Sequence, residues 1–453
     1  MVGKTVGETL AEGIASLDPA RLPASVRTVA EKLVLDIVGL CIAARRSDYS
    51  DAVVSSGLAP GRATAIGHAG AFEAAAAALI NGTAAHGEDF DDTFEGGPVH
   101  AGAVVVPAAL AVAEEFAAGG HSALKGIVVG VETMCRLSLV APTRVHKAGF
   151  HPTSVFGAMA AAAAASATLG LDPPRIAHAF GIAGSMAGGI IEYLADGAWT
   201  KRLHAGWAAQ SGIRAALLAR AGFVGPLSVF EGTHGLFNGF ARGSTGDYGQ
   251  LIDGFGTRWL TEALAFKPFA CGTMAQPYVD CAIRLARRGI AAEAIDEMVC
   301  EVAEGTVHRL WEPLASKQAP PNAYAAKFST PFCIAAAFVL GDAGLASFSE
   351  ATVRDPRLRA LAAKARYVVD AGNPYPRAYT GHIRARLKTG EMVEERQPHL
   401  RGGAHDPLSV AELERKYHAN AAFGGWPGER AEAVRALVGR LFDGTIGLTA
   451  LRG

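Results

Sequence analysis

Cysteine is scarce in the 453-residue chain, and none of its six residues form a CxxC pair. Cys41, Cys135, Cys271, Cys281, Cys300 and Cys333 therefore make a poor zinc-ribbon or iron–sulfur framework, and a disulfide scaffold is not expected at this length. Other signatures are missing too. GxGxxG is absent, which removes the usual support for dinucleotide binding. No GxSxG elbow is present to favour Ser/His/Asp hydrolysis, and no HExxH to favour a zinc hydrolase. Neither sign of charge dominates: the net charge is −1, which argues against nucleic acid or an anionic membrane surface as the main partner. A small cationic pocket for an anionic ligand is still compatible with that balance. There is no solenoid-length repeat and no low-complexity linker. The first residues, MVGKTVGETLAEG, lack the apolar core of a signal peptide, so a soluble, cytoplasmic protein is expected.

One uncharged run approaches membrane-spanning length, TSVFGAMAAAAAASATLGL at 153–171. Alanine and glycine dominate it, and small side chains anchor weakly in lipid. It is read as a buried, tightly packed helix. Hydrophobic residues make up 50% of the chain, enough for a large core, and the length exceeds what one core organises, so two domains are expected. Helical periodicity runs through 24–44, 71–86, 104–120, 122–140 and 203–223. After about residue 266 the pattern changes. Short alternation at 295–305 and 367–372 predicts strands, and 379–397 predicts a hairpin turning at Thr389-Gly390. Helix returns at 409–417, where Ser409 and Glu412 have capping-box spacing. The expected organisation is mainly α. A large all-helical domain is built from 1–266 and 403–453, with a smaller α+β lid domain of 267–402 inserted between.

Chemistry concentrates in HGEDFDDTFEGGPVHAG, residues 86–102, although only 19% of the chain is charged. His86, Asp89, Asp91, Asp92 and His100 are suitable metal-ligand types, but no tight metal pattern joins them. Asp91 and Asp92 are read as loop or helix caps, and His86 as a structural residue ending an alanine-rich helix. Asp89, Thr93 and His100 carry the sharper reading: a histidine that titrates near neutral pH beside a carboxylate is suited to proton transfer. Further basic groups are His151 in GFHPTSVFG, Lys201, Arg202 and His204 in WTKRLHAGWAAQSG, and Lys267 in FKPFACGTMAQPY. Taken singly, each is an ordinary surface charge or core histidine. As a set they suggest a site for carboxylates, each charge-assisted contact contributing about 1.5–3 kcal/mol.

These stretches resemble the MmgE/PrpD family, which includes 2-methylcitrate dehydratase, cis-aconitate decarboxylase and iminodisuccinate epimerase. The resemblance is carried by NGTAAHGEDFDDT with His100, FHPTSVFGAMAAAAAASATLGLD, TKRLHAGWAAQSG, AFKPF and KFSTPFCIAAA. It implies the helical domain with inserted lid, a homodimer, no cofactor and a small polycarboxylate substrate. The family's pocket residues carry over onto Asp89, Thr93, His100, His151, Lys201 and Lys267; Asp89, His100, His151 and Lys201 are expected to be catalytic, and Thr93, Arg202, His204, Lys267 and Trp311 to contact substrate. This chain departs from relatives in three places. The lid run KPFACGT lacks the histidine that follows the lysine in the decarboxylase and is closer to the epimerase; Arg202 replaces a frequent proline; Trp311 stands where tyrosine is common. The implied reaction is a dehydration on a small di- or tricarboxylate, with epimerisation or decarboxylation as alternatives. All three move a proton at carbon while charge develops on a neighbouring carboxylate.

Overall fold

Small residues decide how the helices of this protein meet. The computed structural model describes residues 3–243 and 245–453. The chain divides into two units: one contains residues up to 87, 91–264 and 410–453, and the other contains 88–90 and 265–409. The protein is mainly α-helical.

The first unit is built around the helices Ala24–Ala44, Ala74–Gly87, Gly102–Glu115, Gly120–Val140, Pro152–Thr168, Pro173–Met186 and Thr200–Arg220. Val410–Phe423 and Gly428–Val438 are its late helices. Local chemistry sets several starts. Thr5 and Glu8 form a capping box for Val6–Ser16, and Asp172 accepts from Arg175 N ahead of Pro173 at the first helical position. The alanine-rich run is the helix Pro152–Thr168, buried along its whole length from Thr153 onward. Among the described residues no helix is long and apolar enough to cross a membrane. The unit is not purely helical, since Pro60–Thr64 pairs antiparallel with Ala71–Phe72. The helical periodicity expected from residue 71 therefore begins only at Ala74.

A backbone crossing fixes the centre of this unit. A Cβ added to Gly82 would lie 2.7 Å from Gly206 Cα, and one added to Gly206 would overlap Leu79 O. The helices Ala74–Gly87 and Thr200–Arg220 touch there with no side chain between them, a contact open only to glycine.

The second unit holds a four-stranded sheet in the order Ala365–Val369, Ile295–Val302, Gly381–Leu387, Met392–Gln397. Its first pair is parallel, with Cys300 opposite Tyr367, and the others are antiparallel, with Cys300 opposite Ile383 and Ala385 opposite Val393. The hairpin turns at Thr389-Gly390: Gly390 has φ 88° and Leu387 N donates to Glu391 O at 2.8 Å. Two expected strands are shorter than their sequence patterns. Ile295–Val302 gives way to the helix Glu304–Leu310. Ala365–Val369 ends where Asp370 Oδ1 accepts from Gly372 N at 2.8 Å, a side-chain turn that competes with the ladder. The helix Gln276–Arg287 packs on the sheet, and its Arg284 donates to Glu395, Gln397 and the Arg396 carbonyl.

Candidate active site

The glycine crossing places chemistry close by. His86 lies one turn beyond Gly82, and Lys201 and His204 lie within the first two turns of the facing helix. The chain then returns through Asp91, Asp92 and His100, while His151 stands at the N-cap of the alanine-rich helix. His151 is held from the other side by its own N–H, which donates to Gly189 O at 2.8 Å. Four imidazoles gather in this way. Ring centroids are 5.0 Å apart for His86 and His100, 5.7 Å for His86 and His151, and 5.2 Å for His151 and His204.

Hydrogen bonds assign work to the two consecutive aspartates. Asp92 accepts from Ala101 N at 3.2 Å and Gly102 N at 2.9 Å, and so caps the helix Gly102–Glu115, as expected. Asp91 is not a cap. Its Oδ2 lies 2.7 Å from His86 Nδ1 and 3.8 Å from His100 Nδ1, with the side chains of Asp91 and His86 fully buried. His100 Nδ1 is 2.7 Å from the Asp92 carbonyl, which only accepts, so Nδ1 carries the proton and the ring's basic lone pair is on Nε2. The backbone N–H of His100 donates to Thr153 Oγ1 at 3.3 Å, tying it to the alanine-rich helix. His151 and His204 meet through their Nδ1 atoms at 3.1 Å, so one donates and the other accepts.

Burial sets the protonation of that last pair. Desolvation, ahead of the neighbouring His86, Lys201, His204 and His100, holds His151 well below the ordinary histidine range. Desolvation, ahead of His86 and Lys201, brings His204 down to about 4. Both are neutral at pH 7, able to accept a proton or to hydrogen-bond an anion. His204 also lines a cleft of about 580 Å³ with Ser154, Gly189, Tyr193, Thr200 and Trp207. Gly189 has φ 108°, and a Cβ there would meet Ser154 Oγ at 2.5 Å and His204 Nε2 at 3.2 Å. Glycine keeps this wall open.

Thr93 is buried in the short strand Thr93–Phe94. Arg202 turns its guanidinium over the Tyr49 ring, 4.4 Å from the centroid. Asp89 and Lys267 belong to the second unit. Lys267 Nζ donates to Asp89 O at 2.9 Å and lies 3.5 Å from its carboxylate, and Asp89 has φ 55°. Trp311 is fully buried in that unit, against Tyr278 and Tyr367. For a metal, His86, Asp91 and His100 bring ligand atoms within 4.8 Å of one another. His86 Nδ1 already shares a proton with Asp91 Oδ2, and His100 Nδ1 with the Asp92 carbonyl, so a cation at these atoms would enter only by displacing those protons.

His86, Asp91 and Lys327 were not among the expected site residues. Lys327 is a buried lysine that donates to Glu88 O at 2.9 Å and pairs with the Glu88 carboxylate. The signal for Lys327 was its place in an otherwise apolar run. For His86 no local pattern existed, because its partners arrive from residues 91, 100 and 151.

Comparison with known sequences matches two family domains along the chain. A profile of the MmgE/PrpD N-terminal domain matches residues 8–248, and one of the MmgE/PrpD C-terminal domain matches 269–439. A cis-aconitate decarboxylase-like protein, oryM, of Aspergillus oryzae is 28% identical over 437 residues, covering 91% of this chain and 90% of its own length. Human cis-aconitate decarboxylase is 30% identical over 364 residues, covering 76% of this chain and 72% of its own. The mouse cis-aconitate decarboxylase is 29% identical over 367 residues, covering 76% and 71%.

Proposed function

The chain belongs to the MmgE/PrpD family, and on that ground we propose that it is a lyase of small polycarboxylates, moving a proton at a carbon beside a carboxylate. The observation that carries this reading is the cluster of four buried histidines, with Asp91 paired to His86, two of the four held neutral and Lys201 within electrostatic reach. His100 exchanges the proton through Nε2, His151 is its partner, and Lys201 holds a substrate carboxylate and stabilises the charge that develops on it. Asp89 serves as an orienting or second base, and Thr93, His204 and Lys267 contact substrate oxygens. Arg202, stacked on Tyr49, and Trp311, packed on Tyr278 and Tyr367, are the remaining candidates for substrate contact.

The relatives' names favour loss of carbon dioxide. In that reaction the bond from carbon to a carboxylate breaks, its electron pair passes into the adjacent unsaturated system, and an imidazolium delivers a proton to carbon. Dehydration uses the same groups: an imidazole takes the proton from carbon while hydroxide leaves with a proton from a second acid. Epimerisation is the second reading, favoured by the Lys267-Pro-Phe-Ala-Cys run with no histidine after it. A homodimer is part of the proposal. Ile190, Leu194, Trp199 and Trp207 are 61%, 57%, 48% and 47% exposed, an apolar grouping that suits a subunit contact, and light scattering should give twice the chain mass.

The test is proton NMR in D₂O with cis-aconitate, citrate, 2-methylcitrate, tartrate, malate and iminodisuccinate offered separately. Carbon dioxide release or new olefinic signals identify a lyase. Deuterium entering at carbon without elimination replaces that reading with epimerisation, and inertness towards all six acids removes the polycarboxylate assignment.

A further inference from the structure

Beyond the groups that meet substrate in this reading, His86 and Asp91 form a buried couple with a defined direction. The His86 ring is 1% exposed, on an alanine-rich helix where a polar side chain has no packing reason to stand. Its Nδ1 faces Asp91 Oδ2 at 2.7 Å, while its Nε2 is buried with no hydrogen-bond partner among the described residues. A carboxylate accepts, so the proton sits on Nδ1 and Nε2 carries the lone pair. The same Asp91 oxygen lies 3.8 Å from His100 Nδ1, beyond hydrogen-bonding distance but close enough to act as a counter-charge.

We propose that Asp91, oriented by His86, is a positioning pair that holds a negative charge behind His100 and sets the pH at which His100 exchanges its proton. The proposal rests on His100 being the acid/base group. It assigns no contact with substrate to either residue. When His100 takes a proton on Nε2 it becomes an imidazolium with Nδ1–H still directed at the Asp92 carbonyl. The Asp92 carbonyl dipole and the Asp91 carboxylate both favour that charge. Without the His86 proton, Asp91 would be a fully buried carboxylate with its nearest donor gone, and its oxygens could turn away from His100.

The surroundings make this counter-charge matter. The titratable and charged groups near His100 are His86 from the helix Ala74–Gly87, Asp91 and Asp92 from its own segment, His151 from the alanine-rich helix, and Lys201 with His204 beyond. Asp92 is committed to the backbone of Ala101 and Gly102. Among the described residues in this set Asp91 and Asp92 are the negative groups, with Asp91 Oδ2 3.8 Å from His100 Nδ1, while Lys201 and any protonated imidazole oppose a charge on His100. This differs from a general hydrogen-bonded core, where deleting either residue would lower stability but leave the titration of His100 unchanged.

The experiment is heteronuclear NMR of the histidine side chains across pH, which needs no substrate and so succeeds or fails independently of the lyase assignment. In the wild-type protein the ¹⁵N shifts should show His86 with its proton on Nδ1. In Asp91→Asn the midpoint of the His100 titration should fall by about 1–3 pH units, the usual effect of removing an opposite charge at this distance. His86→Leu should lower it in the same direction, and His86→Asn, whose amide can donate from the Nδ1 position, should restore much of it. The acid limb of kcat/KM should move with the midpoint. A His86 proton on Nε2 in the wild type, or an unmoved His100 midpoint in folded Asp91→Asn, overturns the proposal. Should Asp91→Asn fail to fold, the wild-type tautomer and the His86→Leu/His86→Asn pair decide the matter.

Discussion

The histidine cluster of the first unit and the lysine pairs of the second bury charge in opposite ways. Around Asp91 the first unit gathers imidazoles, and desolvation holds His151 and His204 neutral. The second unit buries Lys267 with Asp89 and Lys327 with Glu88, and each lysine also donates to the backbone carbonyl of its partner. An ammonium satisfied in this manner is a fixed charge. Imidazoles whose protonation is poised by burial and by neighbours can change charge during a reaction. In the proposed reading, proton exchange at His100 belongs to the first group, and Asp89 and Lys267 of the second add an orienting or second base and a substrate contact.

The comparison breaks if substitutions in the two groups have the same consequences. The largest effect is expected at His100. His100→Gln should lower turnover by about 10²–10⁴-fold with the fold intact, measured by product NMR and circular dichroism. Next in size, Lys267→Met should act on stability. It leaves Asp89 buried without its cation, which costs about 3–5 kcal/mol when one partner of a buried pair is removed. Denaturant unfolding followed by a probe in the second unit checks this, and an unchanged midpoint would mean that the pair is solvated. Gly189→Ala should come third. The positive φ and the approach to Ser154 and His204 predict about 1–3 kcal/mol of strain, read as a lower melting temperature together with reduced kcat/KM.

A smaller effect separates the two units by pH. His204 has its folded value lowered to about 4 from 6.5, so between those values the unfolded chain binds the extra proton. Stability from this group is present above about pH 6.5 and is lost as pH falls towards 4. Asp280 in the second unit has the opposite sign. Burial, only partly offset by Arg401 and Arg284, raises it to about 6 from 3.8, so the folded form binds the extra proton and stability is lost as pH rises through that window. Hydrogen exchange at pH 7 and pH 5 should show the first unit losing protection on acidification while the segment around Asp280 gains it. Parallel changes in both would contradict these assignments. The smallest effect expected is that of a chelator, which should leave turnover unchanged. Loss of activity restored by a divalent cation would make His86, Asp91 and His100 a metal site instead.

What could be read from the sequence depended on how local its cause was. Helical periodicity found the helix Ala24–Ala44, and alternation with Thr389-Gly390 found the hairpin, because those patterns are decided within a few residues. The run at 153–171 was legible as buried helix from its small side chains alone. Asp91 and Asp92 mark the limit. They are adjacent and chemically identical, yet one caps a helix and the other pairs with His86, and only the path of the chain between residues 86 and 102 distinguishes them. For the same reason His86 looked like the end of an alanine-rich helix. Its neighbours arrive from residues 91, 100 and 151, which no pattern local to the helix announces.

The central claim is that the histidine cluster moves a proton at carbon. The most direct test is turnover of cis-aconitate in D₂O by the wild-type protein and by His100→Gln, with the product examined by NMR. The account predicts solvent deuterium at one carbon of the wild-type product and a rate lower by at least about 10²-fold in the variant. A product free of solvent deuterium, or a His100→Gln enzyme as fast as the wild type, would contradict it.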